Sequence, residues 1–342
     1  NGVAVFKMSN KTPWKFVNVG ANISTQSIEN YVETPGNSNI SISKNLIDPS
    51  GNPVTGNISY LGHAYNRYGN LTKFNIGVGA NYNNNLYLGA SINIHDANID
   101  QYDTAALGLN LDNSVDVFSK QYTPYSEQSS GFSASFGVIG KVNKQVRLGA
   151  TIETPTWWSI DRVYADYYDG TDGIYYQNYG ESRNFRSPMK ATVSGAYVPT
   201  KNFSLNVDYT LGLTKPSYRV QGAAESELNN FYDNFSKNLS EIKVGAEYRI
   251  KALRIRGGYS YTASPFDAMT INAYTNAGSK ADINYSNLIL GSRDTFGFGL
   301  GYDFGGFYID ATYQNISSKY KNPFLAGYSD YGTGYYSGNY DV

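Results

Sequence analysis

Residues 71–94, LTKFNIGVGANYNNNLYLGASINI, contain the clearest structural pattern in this chain. Apolar side chains alternate with polar side chains and glycines from Phe74 to Tyr82, three asparagines follow, and the alternation resumes from Leu86 to Ile94. Successive side chains of a β-strand point to opposite faces. The stretch therefore predicts a hairpin with one apolar face and one polar face.

The rest of the chain repeats this unit, which gives twelve predicted strands. They cover residues 3–8, 14–24, 71–82, 86–94, 131–142, 146–152, 189–198, 203–213, 242–250, 253–261, 296–304 and 307–313. Segments 25–70 and 95–130 are predicted loops, as are 262–294 and the Tyr/Gly-rich tail beyond residue 317. Segment 157–186 is an aromatic loop that can extend the strands, and 222–236 is helix-like.

Composition excludes several classes of protein. The net charge of −1 gives no reason to expect nucleic acid as a partner. The absence of cysteine excludes a disulfide framework, a thiol nucleophile and a cysteine-ligated metal. The sequence contains no apolar run of about 18 residues, which a transmembrane helix needs. A β-barrel is the other backbone that can cross lipid with its polar groups paired.

Three features favour a membrane barrel over a soluble β-sandwich, which remains the alternative fold. Short connections of two to five residues alternate with long ones, as in outer-membrane barrels. The apolar faces of the ten clearest strands contain no Asp, Glu, Lys or Arg, whereas the polar faces carry many. Aromatic residues such as Trp14, Tyr82 and Tyr302 fall near strand ends, where interface girdles lie. We predict an all-β, transmembrane antiparallel β-barrel of the bacterial outer membrane.

The strand count suggests that the complete barrel is larger. The first and last predicted strands place both chain ends on the long-loop side, whereas bacterial barrels end in the periplasm. One further strand before residue 3 and one after residue 342 would give fourteen. We expect residues 1–342 to belong to a single barrel domain.

Four motifs resemble the FadL/TodX family of outer-membrane transporters for hydrophobic compounds, in its Bacteroidetes form. They are NGVAVFKMSNKTPWKFVNVGANIS (1–24), GNLTKFNIGVGANYNNNLYLGASINI (69–94), VRLGATIETPTWW (146–158) and FGFGLGYDFGGFYIDATYQ (296–314). The resemblance implies fourteen strands and an N-terminal hatch that plugs the lumen and carries an Asn-Pro-Ala or Asn-Pro-Ser motif. Neither motif occurs here, so we expect the hatch and the two end strands to lie outside this sequence.

The resemblance also implies a function. An apolar solute, such as a long-chain fatty acid or an aromatic hydrocarbon, would diffuse without ATP from an extracellular groove into the barrel and leave sideways between strands. In this family a kink in the third strand opens the gap. Strand 14–24 would be the third strand of the complete barrel, and Gly20 would permit the bend. No enzyme activity and no cofactor are expected.

Four aromatic residues are candidate ligand contacts. Trp157 and Trp158 follow a strand and could form an apolar landing groove, with an aromatic girdle as the alternative. Phe231 and Phe235 lie at helical spacing with Leu228 and Tyr232, which predicts a helix with an apolar stripe. Simple packing of that stripe on a neighbouring loop is the alternative.

Three arginines flank one short turn on the polar face. Arg249, Arg254 and Arg256 could hold the carboxylate of a fatty acid through charge-assisted hydrogen bonds. Structural ion pairs, for which Glu247 is a partner, are the more common use of such a cluster.

Other polar residues have weaker patterns. His63 and His95 are predicted to be exposed loop histidines. A barrel lipase would need a histidine beside a serine on the outer face, and His95 has Ser91 nearby on the polar face. The loop carboxylates could bind Ca²⁺, although their spacing matches no EF-hand: they are Asp96, Asp100, Asp103, Asp112, Asp116, Asp166, Asp169 and Asp172. No metal site is predicted.

The leading function is thus a channel for small hydrophobic molecules. An accessory barrel within a larger envelope assembly is the alternative, and an outer-membrane hydrolase is a third possibility. The expected partners are outer-membrane lipid, lipopolysaccharide, the hydrophobic solute and, in the alternative, other envelope proteins.

Overall fold

The structure is a computed structural model, and it describes residues 2–9, 11–47, 50–111, 114–170, 173–288, 290–318 and 321. This part of the chain contains seventeen β-strands and one α-helix. They are β1 (Gly2–Lys7), β2 (Trp14–Ile47), β3 (Pro53–Tyr82), β4 (Leu86–Leu111), β5 (Ser114–Lys141), β6 (Val146–Glu153), β7 (Trp157–Gly170), β8 (Gly173–Arg186), β9 (Lys190–Thr200), β10 (Phe203–Gly212), β11 (Ser217–Tyr218), α1 (Ala223–Phe235), β12 (Ser240–Ile250), β13 (Leu253–Thr262), β14 (Met269–Tyr274), β15 (Lys280–Tyr285), β16 (Arg293–Asp303) and β17 (Tyr308–Ser318).

Fifteen of these strands form one antiparallel sheet. Twelve follow one another in the order β1-β2-β3-β4-β5-β6-β9-β10-β12-β13-β16-β17, and they correspond to the twelve predicted strands. Strands β7, β8 and β11 continue the sheet beside β5, while β14 and β15 form a separate hairpin. The all-β antiparallel prediction is confirmed. Among the described residues β1 pairs with β2 alone and β17 with β16 alone, so the sheet is not closed.

The register converts the alternation in the sequence into a continuous apolar face. Ile76 of β3 lies opposite Ala21 of β2 and Ile92 of β4, and Ile92 lies opposite Ala134 of β5. The rows continue through the later strands to β17. Large side chains on this outer face remain exposed: they include Val19, Phe74, Ile76, Val78, Leu88, Phe132, Phe136, Leu148, Ile152, Val193, Val207, Ile242, Val244, Phe296, Phe298 and Leu300.

The sheet is curved with its polar face inward. On β4 the apolar Ile92 is 51% exposed, whereas the next residue, the polar Asn93, is 1% exposed. Side chains crowd together on the concave side of a curved sheet and spread apart on the convex side. We call the polar, concave side the inner face and the apolar, convex side the outer face.

Contacts between distant strands show how far the sheet curves. The β14–β15 hairpin leaves the chain between β13 and β16, near the end of the strand path. The side chains of Asn37 and Asn39 on β2 nevertheless donate hydrogen bonds to the carbonyl oxygen of Asn276, at 3.2 and 3.0 Å. Tyr274 of β14 also packs in one apolar cluster with Ile40 of β2 and with residues of β3 and β4.

Two loop predictions are wrong. Segments 25–70 and 95–130 continue the strands β2, β3, β4 and β5, apart from short turns and the undescribed residues between them. The hydrophobic alternation stops near Ile94 because the outer face becomes polar there, while backbone pairing continues without it. Thr25 pairs with Thr72 and Glu29 with Tyr68 in unbroken register. Strand 14–24 likewise keeps its register with β1 and β3 from Phe16 to Ala21, with no break at Gly20.

Segment 157–186 forms the hairpin of β7 and β8, which extends the sheet as expected. Part of the predicted loop 262–294 is the β14–β15 hairpin. The predicted helix is confirmed as α1, which begins after Gly222. The Glu225 carboxylate accepts a hydrogen bond from the Gly222 backbone N–H at 2.8 Å and so satisfies one free donor at the helix N-terminus.

Among the described residues no α-helix has the length and apolar character required to cross a membrane. The predicted loop at the C-terminal end, residues 319–342, lies outside the described residues except for Lys321.

Candidate functional site

A chain of hydrogen bonds crosses the inner face of β3, β4 and β5. The Asn75 amide donates to Asn93 Oδ1 at 2.6 Å, and the Asn93 amide donates to Ser133 Oγ at 3.1 Å. His95 Nε2 lies 3.1 Å from the same hydroxyl oxygen. Residues two apart on a strand share a face, which explains why Asn93 and His95 both reach β5. The bonds satisfy the buried amide and fix the inner wall where the outer apolar face ends.

The prediction that His63 and His95 are exposed loop histidines is wrong. His63 lies on β3 and is buried, and His95 lies on β4 beside Ser133. Both belong to strands that extend further than predicted. The His95–Ser133 pair lies on the inner face, whereas a barrel lipase requires its pair on the outer face. Ser133 is 0% exposed, so a substrate cannot reach its hydroxyl group in this arrangement.

The two neighbouring tryptophans point to opposite faces. Trp157 is exposed on the outer face and stacks on Phe132 with a ring-centroid distance of 6.1 Å. Trp158 lies on the inner face beside His95, with the ring centroids 5.4 Å apart. Trp157 thus lies at one edge of the apolar outer face. One surface groove cannot contain both indoles, and Trp158 is the one that faces the interior.

Gly131 provides the space that Trp158 occupies. A Cβ atom at Gly131 would lie 2.8 Å from two atoms of the Trp158 ring, which is too close. We expect Gly131→Ala to displace the indole and destabilise the fold by about 1–3 kcal/mol, the usual cost of overpacking. The control is Gly140→Ala, where an added Cβ meets no atom within 4 Å. Urea unfolding followed by tryptophan fluorescence measures both, and equal stability of the two variants would contradict the packing described.

Aromatic side chains gather further along the inner face, where β5, β7, β8 and β11 meet helix α1. The Tyr125 and Tyr164 rings lie 5.6 Å apart, and Tyr218 lies 5.0 Å from Phe185 and 6.3 Å from Tyr232. We call these five residues the aromatic cluster. Together with Trp158, they form a largely apolar region above the polar hydrogen-bond chain.

An ion pair supports the aromatic cluster from below. Arg162 Nε donates to Glu127 Oε2 at 2.6 Å, and the Ser129 hydroxyl donates to Glu127 Oε1 at 2.8 Å. The Arg162 guanidinium also lies over the Tyr125 ring, 4.9 Å from its centroid. Both oxygens of the buried carboxylate are therefore satisfied, and the arginine fixes the position of one member of the aromatic cluster.

Burial is the main cause of the shifted pKa values in the aromatic cluster. It raises the pKa of Tyr125, Tyr164 and Tyr218 above the usual value for tyrosine. Burial, together with Tyr218, raises the pKa of Tyr232 to about 12. These hydroxyl groups stay neutral at any physiological pH, so the region offers hydrogen bonds and ring faces without phenolate charge.

Helix α1 is held against this region by side chains of its first turn and its middle. Arg183 of β8 pairs with Glu225 at 3.2 Å, and the Asn229 side chain exchanges two hydrogen bonds with the Tyr218 backbone, at 2.7 and 2.9 Å. Phe231 packs 5.4 Å from Phe266 in a second apolar cluster. Phe235 is exposed and lies 5.4 Å from Phe231. Phe231 therefore packs on a neighbouring loop, and the role of both residues in ligand binding stays a prediction.

The predicted arginine site lies at the opposite end of the sheet, near the short turns. Arg256 donates to Glu247 at 2.7 Å and to Asp310 at 2.8 Å. Arg254 and Arg249 lie 3.5 and 4.0 Å from the carboxylate of Asp303. All three guanidinium groups have carboxylate neighbours, which is the arrangement of structural ion pairs. Binding of a solute carboxylate here stays a prediction.

No protein-family model matches this sequence, and no curated protein matches it. The chain is similar to a solved FadL homologue of Pseudomonas aeruginosa, with 14% identity, a TM-score of 0.43, and coverage of 89% of this chain and 82% of that one. It is also similar to the toluene transporter TodX of P. putida, with 11% identity, a TM-score of 0.44, and coverage of 93% and 81%. At these identities, no residue of this chain acquires a role by correspondence.

Several residues of the inner face were not among the predicted site residues. They are Asn93, Ser133, Glu127, Ser129 and Arg162. Extending the alternation of the first hairpin beyond Ile94 would have placed residues 93–101 and 125–133 on strands, with the odd-numbered residues inward.

Among the described residues no group of three or more His, Cys, Asp or Glu side chains could hold a metal ion. Asp96 and Asp100 lie on β4, whereas the side chains of the other predicted Ca²⁺ ligands lie outside the described residues.

Proposed function

We propose that this chain is an outer-membrane channel for the passive uptake of small hydrophobic molecules. The observation that carries the proposal is the exposed apolar face that runs across the twelve strands. A soluble monomer rarely exposes a contiguous apolar patch larger than a few hundred Å². Lipid is the environment in which such a face is stable. Outer-leaflet lipid and lipopolysaccharide would therefore surround the outer face.

The two ends of the sheet support an orientation in the membrane. Tight turns such as Asn83–Asn85 connect strands at one end, and extended hairpins and helix α1 lie at the other. Outer-membrane barrels place short turns in the periplasm and long segments outside the cell. The aromatic cluster would then face the extracellular side, and the arginine ion pairs would face the periplasm.

The inner face supports a path for an apolar solute. Trp158 and the aromatic cluster offer ring surfaces and neutral hydroxyl groups at the extracellular end. The side chains below them include the hydrogen-bonded Asn75–Asn93–Ser133 chain, and the three arginines near the periplasmic end have carboxylate neighbours. A solute would exchange water for ring contacts at entry and then diffuse without energy input. Both long-chain fatty acids and monoaromatic hydrocarbons have this chemistry.

The test compares uptake in a deletion strain with uptake after the gene is restored. We expect the deletion to reduce import of a labelled fatty acid or of toluene and the wild-type gene to restore it. Trp158→Ala should lower uptake at low solute concentration about tenfold, because losing about 1.4 kcal/mol of contact energy is a tenfold change. The matched control is Trp157→Ala, which removes the neighbouring indole on the outer face. Normal import of both solutes by the deletion strain would refute the proposal.

A further inference from the structure

The outer face of β2, β3 and β4 changes character beyond Ile94, where the apolar belt ends. The register places Glu29, Tyr68 and Asp100 in one row across the three strands, and it places Tyr31 and Tyr102 in the next row. Tyr31 is 60% exposed, and Tyr68 and Tyr102 are each about two-fifths exposed (40% and 42%). We call these five residues, together with Glu33, the outer patch.

The outer patch is negatively charged. The outward-facing residues of segments 25–33, 64–72 and 96–104 include no Lys or Arg, but they include four carboxylates. The basic side chains of the same region of β3, those of Arg67 and Lys73, share the inner face with Tyr65 and His63, because odd-numbered residues of this strand point inward. Acidic groups thus face outward and basic groups face inward.

The tyrosines of the outer patch present open ring faces beside these carboxylates. The Tyr31 hydroxyl donates to Glu33 Oε2 at 2.9 Å, and the hydrogen bond and charge of Glu33 raise the pKa of Tyr31. Tyr68 and Tyr102 stack with their ring centroids 6.2 Å apart. An aromatic face attracts a cation, and adjacent carboxylates add to that attraction. The combination favours ammonium or guanidinium groups.

A recess lies at the end of the outer patch. Both strand pairs lose register here, between Asn37 and Ser41 in β2–β3 and between Tyr60 and Gly62 in β3–β4. Bulges of this kind redirect side chains and open space in a sheet. The resulting cavity has a volume of about 560 Å³, and its lining includes Glu33, Leu61, His63, Ala64, Thr104 and Ala106. The apolar side chains of Leu61, Ala64 and Ala106 suit the methylene stem of a Lys or Arg side chain, and Glu33 suits the charged head.

We infer that the outer patch docks a short, extended, basic segment of a partner protein. Charge complementarity and the recess identify the occupant. Glu29 and Glu33 are four residues apart on β2, so their side chains lie about 14 Å apart. Lys or Arg residues at positions i and i+4 of an extended segment have the same spacing as Glu29 and Glu33, and they share one face of the segment. The patch spans three strands, or about 10 Å, which fits a single strand-like segment and not a globular surface.

The experiment uses the purified chain in lipid nanodiscs and two synthetic Ser/Thr-based peptides. One peptide has Lys at i and i+4, and the other has Lys at i and i+3, which lie on opposite faces of an extended chain. We expect the first peptide to bind at least about tenfold more tightly. Its affinity should fall by a similar factor when NaCl rises from about 0.05 M to about 0.5 M, because screening weakens exposed charge pairs.

The matched variants each lose three carboxylates. E29Q/E33Q/D100N should weaken binding of the first peptide about tenfold. D161N/E227Q/D233N, which changes exposed acids elsewhere, should not. Equal weakening by both variants, equal binding of the two peptides, or full competition by an equimolar free polyamine such as spermidine would each overturn the inference. Because the outer patch does not face the solute path, uptake by E29Q/E33Q/D100N should equal that of the wild type, so a failure here is distinct from a failure of the proposed channel.

Discussion

Ala90→Arg is expected to destabilise the chain in a bilayer by about 2–4 kcal/mol, the cost of an arginine on the lipid face near the membrane midplane. Ala90 lies in the middle of the apolar belt on β4, which runs from Leu86 to Ile94, and it lies opposite Val78 and Phe136 with its side chain partly exposed. An exposed position in water would accept arginine with little change in stability. The size of the effect therefore reports directly on whether lipid covers this face.

The measurement is equilibrium urea unfolding from phospholipid vesicles. The matched control is Asn98→Arg, which adds the same side chain to the outer face of the same strand beyond the apolar belt, and which should change the unfolding free energy by less than about 0.5 kcal/mol. If Ala90→Arg and Asn98→Arg prove equally tolerated, the outer face does not contact lipid and the membrane assignment fails. The transport proposal would fail with it.

Arg162→Met is expected to destabilise the extended part of the sheet by about 3–5 kcal/mol, because it leaves one member of a buried ion pair alone. The Glu127 side chain is 7% exposed and that of Arg162 is 19% exposed, so water cannot replace the lost partner. Glu127 would keep one hydrogen bond, from Ser129. Burial alone would lower the pKa of Arg162, but the hydrogen bond that Arg162 donates to the Tyr164 hydroxyl and the charge of Glu127 outweigh it and raise that pKa. The arginine therefore stays charged near neutrality, so the ion pair is present throughout that pH range.

The double variant Arg162→Met/Glu127→Gln tests the cause. It removes both charges, and we expect it to recover most of the lost stability, since replacing a buried pair with neutral groups is often close to neutral. Amide hydrogen exchange of β5 and β7 measures the local effect, because the extended hairpins can open without unfolding of the whole sheet. A double variant as unstable as Arg162→Met would show that packing, and not the unpaired carboxylate, causes the loss.

The strands of the apolar belt can be predicted from the sequence alone. The alternation from Phe74 to Ile94 is a local property, because the direction of each side chain on a strand depends on its position alone. The same pattern located the other strands of the main path, and the spacing of Phe231 and Phe235 located helix α1. Each of these elements carries its signal within its own residues.

The length of the strands and the contacts between distant residues are visible only in the folded chain. Beyond Ile94 the outer face is polar, so strands held by backbone pairing have the composition of loops. The pairing of Asn93 with Ser133, the contact of Asn39 with the distant β14–β15 hairpin, and the opposite directions of Trp157 and Trp158 all depend on register and curvature. These arise from contacts between residues far apart in the chain, and no local pattern of side chains encodes them.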